Sequence, residues 1–495
     1  MVVLELGIVV AYLGVALAVG LLAYRYAERS AEDFYLASRT LGTVVLLFTT
    51  FATLLSAFTF FGGPNLAFAA GPEWILVMGL MDGVLFAVLW YAMGYKQWLI
   101  GRREGYVTLG EMLGDRFGSP RLRVLVAGIS LFWLLPYVTL QQKGAGQAVA
   151  GLTEGAVPYW VGALGITLFM IAYVAVSGMR GVAWTDTLQG VFMLVLVWGA
   201  LAWVLAAVGG PTAATRALAE AEPEFLALGG GLYSVQFVLG TAVYIAFGVT
   251  MFPQINQRFF VARSRAVLRR MLPLWPLLVL LLFVPAFMLG AWAAGLGVAV
   301  PEGGNVVPAL LTAYTPGWFA ALVIAGALAA MMSSSDSMLL SGSSYLTRDV
   351  YRPLLGEPDR EALLGRAAVV AFALAGFLLS LWTPGTIVEI GNTAFGGYAQ
   401  LALPVLVALY WPRTTRAGMV AGVLGGQAFY LGNLAAVVAG VADSMAGMGA
   451  AYYLGWHPAL PGMLVSLLLV VGVSAATSPA GAEDRTLYFE GLGAP

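Results

Sequence analysis

The sequence predicts an all-helical integral membrane protein with thirteen transmembrane helices. Sixty per cent of the 495 residues are hydrophobic, 10% are charged, and the mean hydropathy is +0.88. A soluble domain carries roughly 25% charged residues, and a helix needs about 20 consecutive apolar residues to cross a bilayer. The apolar stretches are continuous rather than alternating with period two, which favours helices over strands.

Thirteen apolar stretches follow one another along the chain, and each is interpreted as one transmembrane helix. The predicted helices 1 to 13 are Val3–Tyr24, Gly42–Gly71, Trp74–Tyr95, Val124–Gly151, Val157–Val176, Trp184–Val208, Leu232–Phe252, Met271–Leu296, Gly317–Leu346, Ala367–Leu381, Thr386–Trp411, Ala417–Gly440 and His457–Ala475.

The distribution of lysine and arginine predicts how these helices are oriented. With the N-terminus outside, 22 of the 24 basic residues lie on one side, and only Lys143 and Arg216 are exceptions. Basic residues concentrate in cytoplasmic loops. We therefore expect a multi-pass protein of the cell (inner) membrane, with an external N-terminus and a cytoplasmic C-terminus.

The composition excludes several classes of function. The chain has no cysteine and one histidine, His457, so it has no disulfide framework, no thiolate metal site and no histidine cluster. Its net charge of −1 gives no basic surface for nucleic acid. We find no HExxH or GxSxG motif for an enzyme, no repeated filter sequence for a channel, and no sign of an obligate protein partner. A carrier of a small solute is the remaining class.

Predicted helix 2 contains residues that indicate a discontinuous helix. It is about 30 residues long, longer than the roughly 20 needed to cross the bilayer, and contains Gly62, Gly63 and Pro64. Hydroxyl and small residues cluster between Thr49 and Ser56. Unwound backbone exposes carbonyl groups, which are good ligands for a hard cation. A continuous, tilted helix with an ordinary glycine kink is the alternative interpretation.

Predicted helix 9 carries a row of hydroxyl groups. Ala330, Ser333, Ser334 and Ser337 are spaced i, i+3, i+4 and i+7, so they share one face. Two hydroxyls, one helix carbonyl and two carbonyls from a broken helix would supply five oxygens without a carboxylate, which suits Na⁺ better than Ca²⁺ or Mg²⁺. Alternatively, the serines only allow close packing and bond to carbonyls of their own helix.

Four charged residues lie within predicted helices: Asp82, Lys143, Asp186 and Asp336. Each costs several kcal/mol in the bilayer unless it lines a cavity or is paired. Asp186 and Asp336 both fall in the inner half and are candidates for one cation, although Asp186 could also cap its helix. Asp82 and Lys143 each lie about 12 Å from the outer end of their helices. They are therefore interpreted either as an ion pair or as groups that contact the solute.

Several segments occur in order between about Asp33 and Gly425: DFYLASR, the predicted helix 2 segment, VSGMRGVAWTDTLQG, PQINQRFF, SSSDSMLLSGSSYLTRDVY and YWPRTTRAGMVAG. Together they resemble the sodium:solute symporter family. The resemblance implies the leucine-transporter fold, in which two inverted five-helix repeats surround a site at mid-membrane. Residues 1–40 would then be a first helix and link, 41–411 the transport core with repeats at about 41–209 and 232–411, and 412–495 two additional helices and a tail.

The resemblance also implies where sodium binds. The principal site would use the carbonyls of Ala52, Leu55 and Ala330 with the hydroxyls of Ser333 and Ser334. In some members a second sodium site uses an aspartate that falls on Asp186 here, with hydroxyls that fall on Ser333, position 336 and Ser337. This chain has Asp336 where a hydroxyl is expected.

The resemblance gives a less direct indication of the solute. Sugar carriers place an aromatic residue at the position of Gly248 and a glutamine at that of Thr59, and proline carriers place an aspartate at that of Leu54. The segment LPYVTLQQKGAG resembles the branch that carries monocarboxylates and related organic acids, with Lys143 as the leading contact and Asp82 beside it. The predicted function is sodium-coupled import of such an acid. Import of an amino acid such as proline, of pantothenate or of urea, or proton coupling, is the alternative.

Overall fold

The computed structural model describes residues 2–26, 30–301 and 303–478, and this part of the chain is helical throughout apart from its connections. Ten helices are long and apolar enough to cross a membrane, and two bent helix pairs raise the count to twelve. The helix Tyr159–Ala172 is also apolar but shorter. The all-helical membrane class is therefore confirmed, whereas thirteen crossings result only if this shorter helix is counted. The final part of the predicted 412–495 segment lies outside the described residues.

The helices follow the chain in this order: α1 Val2–Tyr24, α2 Ala31–Leu36, α3 Thr43–Leu54, α4 Phe58–Ala70, α5 Trp74–Glu104, α6 Leu109–Arg116, α7 Pro120–Leu152, α8 Tyr159–Ala172, α9 Gly178–Val208, α10 Pro211–Ala221, α11 Val235–Thr250, α12 Pro253–Phe260, α13 Arg265–Gly295, α14 Val306–Tyr314, α15 Gly317–Leu355, α16 Glu361–Ser380, α17 Ile387–Tyr410, α18 Arg416–Val438, α19 Met445–Tyr452 and α20 Ala459–Ala476.

The first bent pair confirms the predicted discontinuity in helix 2. Helices α3 and α4 meet at 61°, and Leu55 between them is extended, with ψ 115°. The break is satisfied locally, because the Ser56 hydroxyl accepts from the Phe58 amide at 3.2 Å and the Ala57 amide donates to Gln141 at 2.9 Å. The glycine–proline triplet at 62–64 does not make the break, since it lies within α4.

The second bent pair, α11 and α12, meets at 59°. A residue before proline disfavours helical backbone, and Phe252, which precedes Pro253, has ψ 132°. The Asn256 amide donates to the carbonyls of Thr250 and Phe252 at 3.2 and 2.9 Å, which satisfies the end of α11. The predicted end of helix 7 at Phe252 lies within two residues of the end of α11, and the short helix α12 that follows was not predicted.

The boundary between α8 and α9 depends on a glycine. Gly178 has φ 58° and ψ −156°, and a Cβ there would lie 2.7 Å from the carbonyl oxygen of Phe34. Helix α9 begins at this residue and not at the predicted Trp184. Asp186 therefore lies well inside α9, and its interpretation as an N-terminal cap was wrong.

Helix α15 forms the centre of the bundle. Almost every residue from Phe319 to Ser344 is buried, and the helix packs against α1, α3, α7, α9 and α16. Serine and alanine dominate this stretch, and small residues let neighbouring helices approach closely in a membrane. The polar groups on α15 therefore face protein and not lipid.

The predicted orientation can be tested by labelling, because the native chain has no cysteine. Ala221 and Ala266 are both exposed, and they lie on connections predicted to be external and cytoplasmic, respectively. A cysteine at Ala221 should react with an impermeant thiol reagent on intact cells, whereas a cysteine at Ala266 should react only after permeabilisation. Labelling with the opposite pattern would reverse the orientation inferred from the basic residues.

Candidate functional site

The break after α3 lies directly against α15 and brings together buried oxygen atoms. The Ser333 hydroxyl donates to the carbonyls of Ala52 and Ala330, at 2.7 and 2.9 Å. The Ser334 hydroxyl is 2.9 Å from the carbonyl of Leu55 and 2.9 Å from that of Thr53. All these residues are buried. The structure thus assembles the five oxygens predicted for the principal sodium site, which we call the hydroxyl–carbonyl cluster.

The chemistry of this cluster fits a small monovalent cation. It contains three carbonyls and two hydroxyls and no carboxylate, and divalent cations are usually held with carboxylates. In the described part of the chain no group of three or more His, Asp or Glu side chains is placed to hold a metal. A serine hydroxyl can either donate its proton to a carbonyl or turn its lone pairs to a cation. A cation bound in this cluster would therefore require both serine hydroxyls to turn their lone pairs towards it.

A second buried polar cluster lies one helical turn away and has an arginine at its centre. Arg258 of α12 donates from Nη2 to Thr53 Oγ1 at 2.7 Å and to Ser337 Oγ at 2.5 Å. The same nitrogen pairs with Asp186 Oδ2 at 3.3 Å. Thr49 also donates to Asp186 Oδ2, at 2.5 Å, and Thr53 and Ser337 are 2.8 Å apart. We call these five side chains the Arg258 cluster; all are fully or almost fully buried.

The oxygens expected at a second sodium site are therefore not assembled as predicted. Asp186 and Ser337 converge on Arg258, and Ser333 belongs to the hydroxyl–carbonyl cluster. Asp336 is fully buried, and neither of its carboxylate oxygens has a hydrogen-bond partner among the described residues. Its position on α15, one residue before Ser337, turns it away from the Arg258 cluster by about 100°.

Between the two breaks the structure places a group of aromatic rings. Tyr137 contacts Phe252 and Phe395, with ring centroids 4.9 and 5.3 Å apart. Phe252 also contacts Tyr398 at 4.7 Å, and Phe58 contacts Phe395 at 5.3 Å. We call these five residues the aromatic group. They come from α4, α7, the second break and α17, so they line the point where the two broken spans approach each other.

Helix α7 supplies the polar part of this wall. Gln141 accepts from the Ala57 amide at the first break, and the Tyr137 hydroxyl lies 3.2 Å from the Ser56 hydroxyl. A Cβ at Gly144 would lie 2.6 Å from the Cβ of Ala57, so glycine allows this close approach. One face of α7 therefore lies against the first break.

Lys143 and Asp82 do not form an ion pair, which was one of the two interpretations of these residues. Lys143 is half-buried and donates to the carbonyls of Thr383 and Gly385, at 3.1 and 2.5 Å. Lys143 follows Gln141 by two residues, which rotates its side chain by about 200° around the axis of α7. It therefore points away from the first break. Asp82 is buried, and its Oδ1 has no hydrogen-bond partner among the described residues. Its carboxyl group lies within electrostatic range of Tyr137.

The two positions that distinguish this chain from sugar carriers are also buried. Gly248 lies near the end of α11, where a Cβ would be 2.3 Å from the carbonyl oxygen of Phe395. A larger residue would push α11 away from α17. Thr59 lies at the start of α4, beside the first break. Neither position offers an aromatic or amide side chain.

Sequence reasoning missed several residues of these clusters. Arg258 was counted only as a basic residue near the cytoplasmic side, and Tyr137 and Gln141 were overlooked beside Lys143. One signal was available for Gln141 and Gly144, since they are spaced i, i+3 and share a face that Lys143 does not. For Arg258 no local signal existed, because its partners are 72 to 205 residues away in sequence.

One cavity among the described residues lies away from the breaks. It has a volume of about 930 Å³ and lies where the end of α7, the start of α8 and α14 meet. Gln147 and Asn305 line it, and Asn305 bonds to both Gln147 and Asn65 of α4, at 3.3 and 2.9 Å. This amide contact ties α4 to the connection before α14.

Two broken spans beside a cluster of buried oxygen atoms are typical of secondary transporters. Residues 34–426 match the model of the sodium:solute symporter family, and the chain belongs to this family. It is 30% identical over 487 residues to the sodium/pantothenate symporter of Escherichia coli, covering 95% of this chain and 96% of the relative. It is 28% identical over 432 residues to the sodium/proline symporter of Haemophilus influenzae, covering 83% and 84%. The chain is thus a multi-pass, sodium-coupled symporter of a small solute.

Solved structures support the fold. A sodium-coupled sialic acid symporter in a substrate-bound, outward-open state is similar with a TM-score of 0.78 at 18% identity, covering 97% of this chain and 99% of that one. A nucleobase–cation-symport-1 family transporter in a closed conformation is similar with a TM-score of 0.59 at 15% identity, covering 93% and 98%. At these identities the likeness concerns the fold alone.

Removing both hydroxyls of the hydroxyl–carbonyl cluster should weaken sodium binding. In the double variant Ser333→Ala with Ser334→Ala, two of five oxygens are lost with little change in volume. We expect the sodium concentration for half-maximal solute uptake to rise at least about tenfold, which corresponds to about 1.4 kcal/mol of lost binding. Ser335→Ala is the matched control, because Ser335 is buried on α15 but bonds to neither cluster. An unchanged sodium dependence in the double variant would show that sodium binds elsewhere.

Proposed function

We propose that this symporter imports a small organic acid of the monocarboxylate class together with sodium bound at the hydroxyl–carbonyl cluster. The proposal depends on the position of this cluster. One of its five oxygens is the Leu55 carbonyl, and Leu55 immediately precedes Ser56 and Ala57 at the break. A cation there lies beside the place where the chain offers hydrogen-bond donors. Sodium and a carboxylate would therefore attract each other across the break.

The donors for the carboxylate come from α4 and α7. The N-terminal end of α4 carries the partial positive charge of its helix dipole. The Ser56 hydroxyl, the Tyr137 hydroxyl and the Gln141 amide lie around it. Gln141 takes the role for which Lys143 was predicted, because Lys143 donates to the connection between α16 and α17 instead. The apolar body of the solute would pack on the aromatic group.

Pantothenate is the organic acid that we propose first. It combines a carboxylate with hydroxyl and amide groups, and the symporter of Escherichia coli with that name is the relative that covers 95% of this chain at 30% identity. The buried carboxyl group of Asp82, which lies within electrostatic range of Tyr137, would accept a hydrogen bond from a hydroxyl or amide of the solute. A simple monocarboxylate would leave that group without a partner.

A second candidate is an amino acid such as proline. Asp82 favours it, because a buried carboxylate would pair with the ammonium group of an amino acid, and proline carriers are among the relatives. The departure at Leu54 weighs against it. Uptake into proteoliposomes under an inward sodium gradient, compared for pantothenate, lactate and proline, separates the two candidates. Saturable uptake of proline without uptake of any acid would contradict the first proposal.

Two substitutions on α7 test which residue recognises the acid. Gln141→Leu should raise the KM for the acid about tenfold or more, because it leaves the Ala57 amide unpaired and removes a donor from the break. Lys143→Met serves as the matched control on the same helix, and we expect its KM to stay near that of the unaltered chain. Calorimetric binding on purified protein checks both. If Gln141→Leu binds the acid normally and Lys143→Met no longer binds it, then Lys143 and not Gln141 contacts the acid.

A further inference from the structure

The Arg258 cluster contains a permanent cation in the place where a second sodium ion was expected. An arginine guanidinium stays protonated in proteins. Its Nη2 contacts Asp186 Oδ2 and Ser337 Oγ, which are two of the oxygens predicted for that ion, and also Thr53 Oγ1. A sodium ion among the same three oxygens would be held against the positive charge of the guanidinium.

The cluster also joins four separate helices. Thr53 is in α3, Arg258 in α12, Asp186 in α9 and Ser337 in α15. Helices α3 and α12 are the halves of the two broken spans that lie on the side predicted to be cytoplasmic. They are joined at their far ends as well, since the Arg263 amide donates to the Leu41 carbonyl at 3.1 Å. Arg258 therefore fixes the two half-helices to each other and to the centre of the bundle.

Thr53 connects this cluster to the hydroxyl–carbonyl cluster. Its side chain accepts from Arg258, and its backbone carbonyl lies 2.9 Å from the Ser334 hydroxyl. When sodium takes the lone pairs of Ser334, that hydroxyl must change its partners at the end of α3. A shift of Arg258 would move Thr53, and the Leu55 carbonyl two residues later would move with it.

We propose that Arg258 is the built-in cation of this cluster and a positioning residue for sodium coupling. It holds the end of α3 where the Ala52 and Leu55 carbonyls face Ser333 and Ser334. The oxygens of Asp186, Ser337 and Thr53 consequently bind the guanidinium rather than a second sodium ion. This inference rests on the proposed sodium site. It adds that one sodium ion binds per chain, and that the affinity for this ion depends on a residue that does not touch it.

Counting bound sodium tests the first part. Purified full-length protein in detergent, titrated with radioactive sodium, should bind one ion per chain. Asp186→Asn should leave this count at one, whereas the Ser333→Ala and Ser334→Ala double variant should lose it. Two ions on the unaltered chain, or a lower count in Asp186→Asn, would overturn the inference. If the unaltered chain binds no sodium at all, the proposed sodium site fails, and this inference fails with it.

Uptake kinetics test the positioning role. Arg258→Gln leaves Asp186 without its cation and is liable to misfold, so Arg258→Gln is combined with Asp186→Asn to remove both charges together. We expect the folded double variant to require about tenfold more sodium for half-maximal uptake, with a nearly normal KM for the solute at saturating sodium. Arg258→Lys, which keeps the charge, should recover part of the sodium affinity. If the sodium dependence of the double variant is unchanged, Arg258 only neutralises the charge of Asp186, and the inference is overturned.

Discussion

The rest of the structure depends on one constraint: the unwound backbone at the first break must find hydrogen-bond partners. Within a membrane, a backbone carbonyl without a partner costs several kcal/mol, because no water is available to pair with it. The extended Leu55 frees the carbonyls of Ala52, Thr53 and Leu55 from the helix. Ser333 and Ser334 donate to all three. The serine-rich face of α15 thus stabilises the break, and the same hydroxyls are available to a cation.

The break also explains how other helices are placed. Gln141 of α7 accepts from the Ala57 amide, so α7 must pass close to the break, and Gly144 permits that approach. Arg258 holds the end of α3 from the opposite side through Thr53. Helices α7, α12 and α15, which are distant from one another in sequence, therefore all contact the segment from residue 52 to residue 57. A change in the contacts made by α7 or α12 would alter the hydroxyl–carbonyl cluster without touching it.

Much of this arrangement could be predicted from local sequence, and the remainder depends on tertiary contacts. The row of small and hydroxyl residues from Ala330 to Ser337 follows helical periodicity, so its common face was visible in the chain. The break in predicted helix 2 was also visible, but the glycines and proline at 62–64 suggested the wrong position for it, because Gly63 serves instead to accommodate the ring of Phe287. Lys143 was chosen by its charge alone, and the rotation of α7 places Gln141 at the break. Arg258 could not be found, since a buried arginine is recognised only when its partners from three other helices are known.

We propose that the five oxygens of the hydroxyl–carbonyl cluster bind the coupling ion. The most direct measurement is an experimental structure of the protein determined in sodium and again in potassium. The sodium structure should show one ion among the carbonyls of Ala52, Leu55 and Ala330 and the hydroxyls of Ser333 and Ser334, with the serines no longer bonded to those carbonyls. In potassium the serine–carbonyl hydrogen bonds should remain. A sodium structure with these hydrogen bonds intact, and with the ion bound elsewhere, would contradict the account.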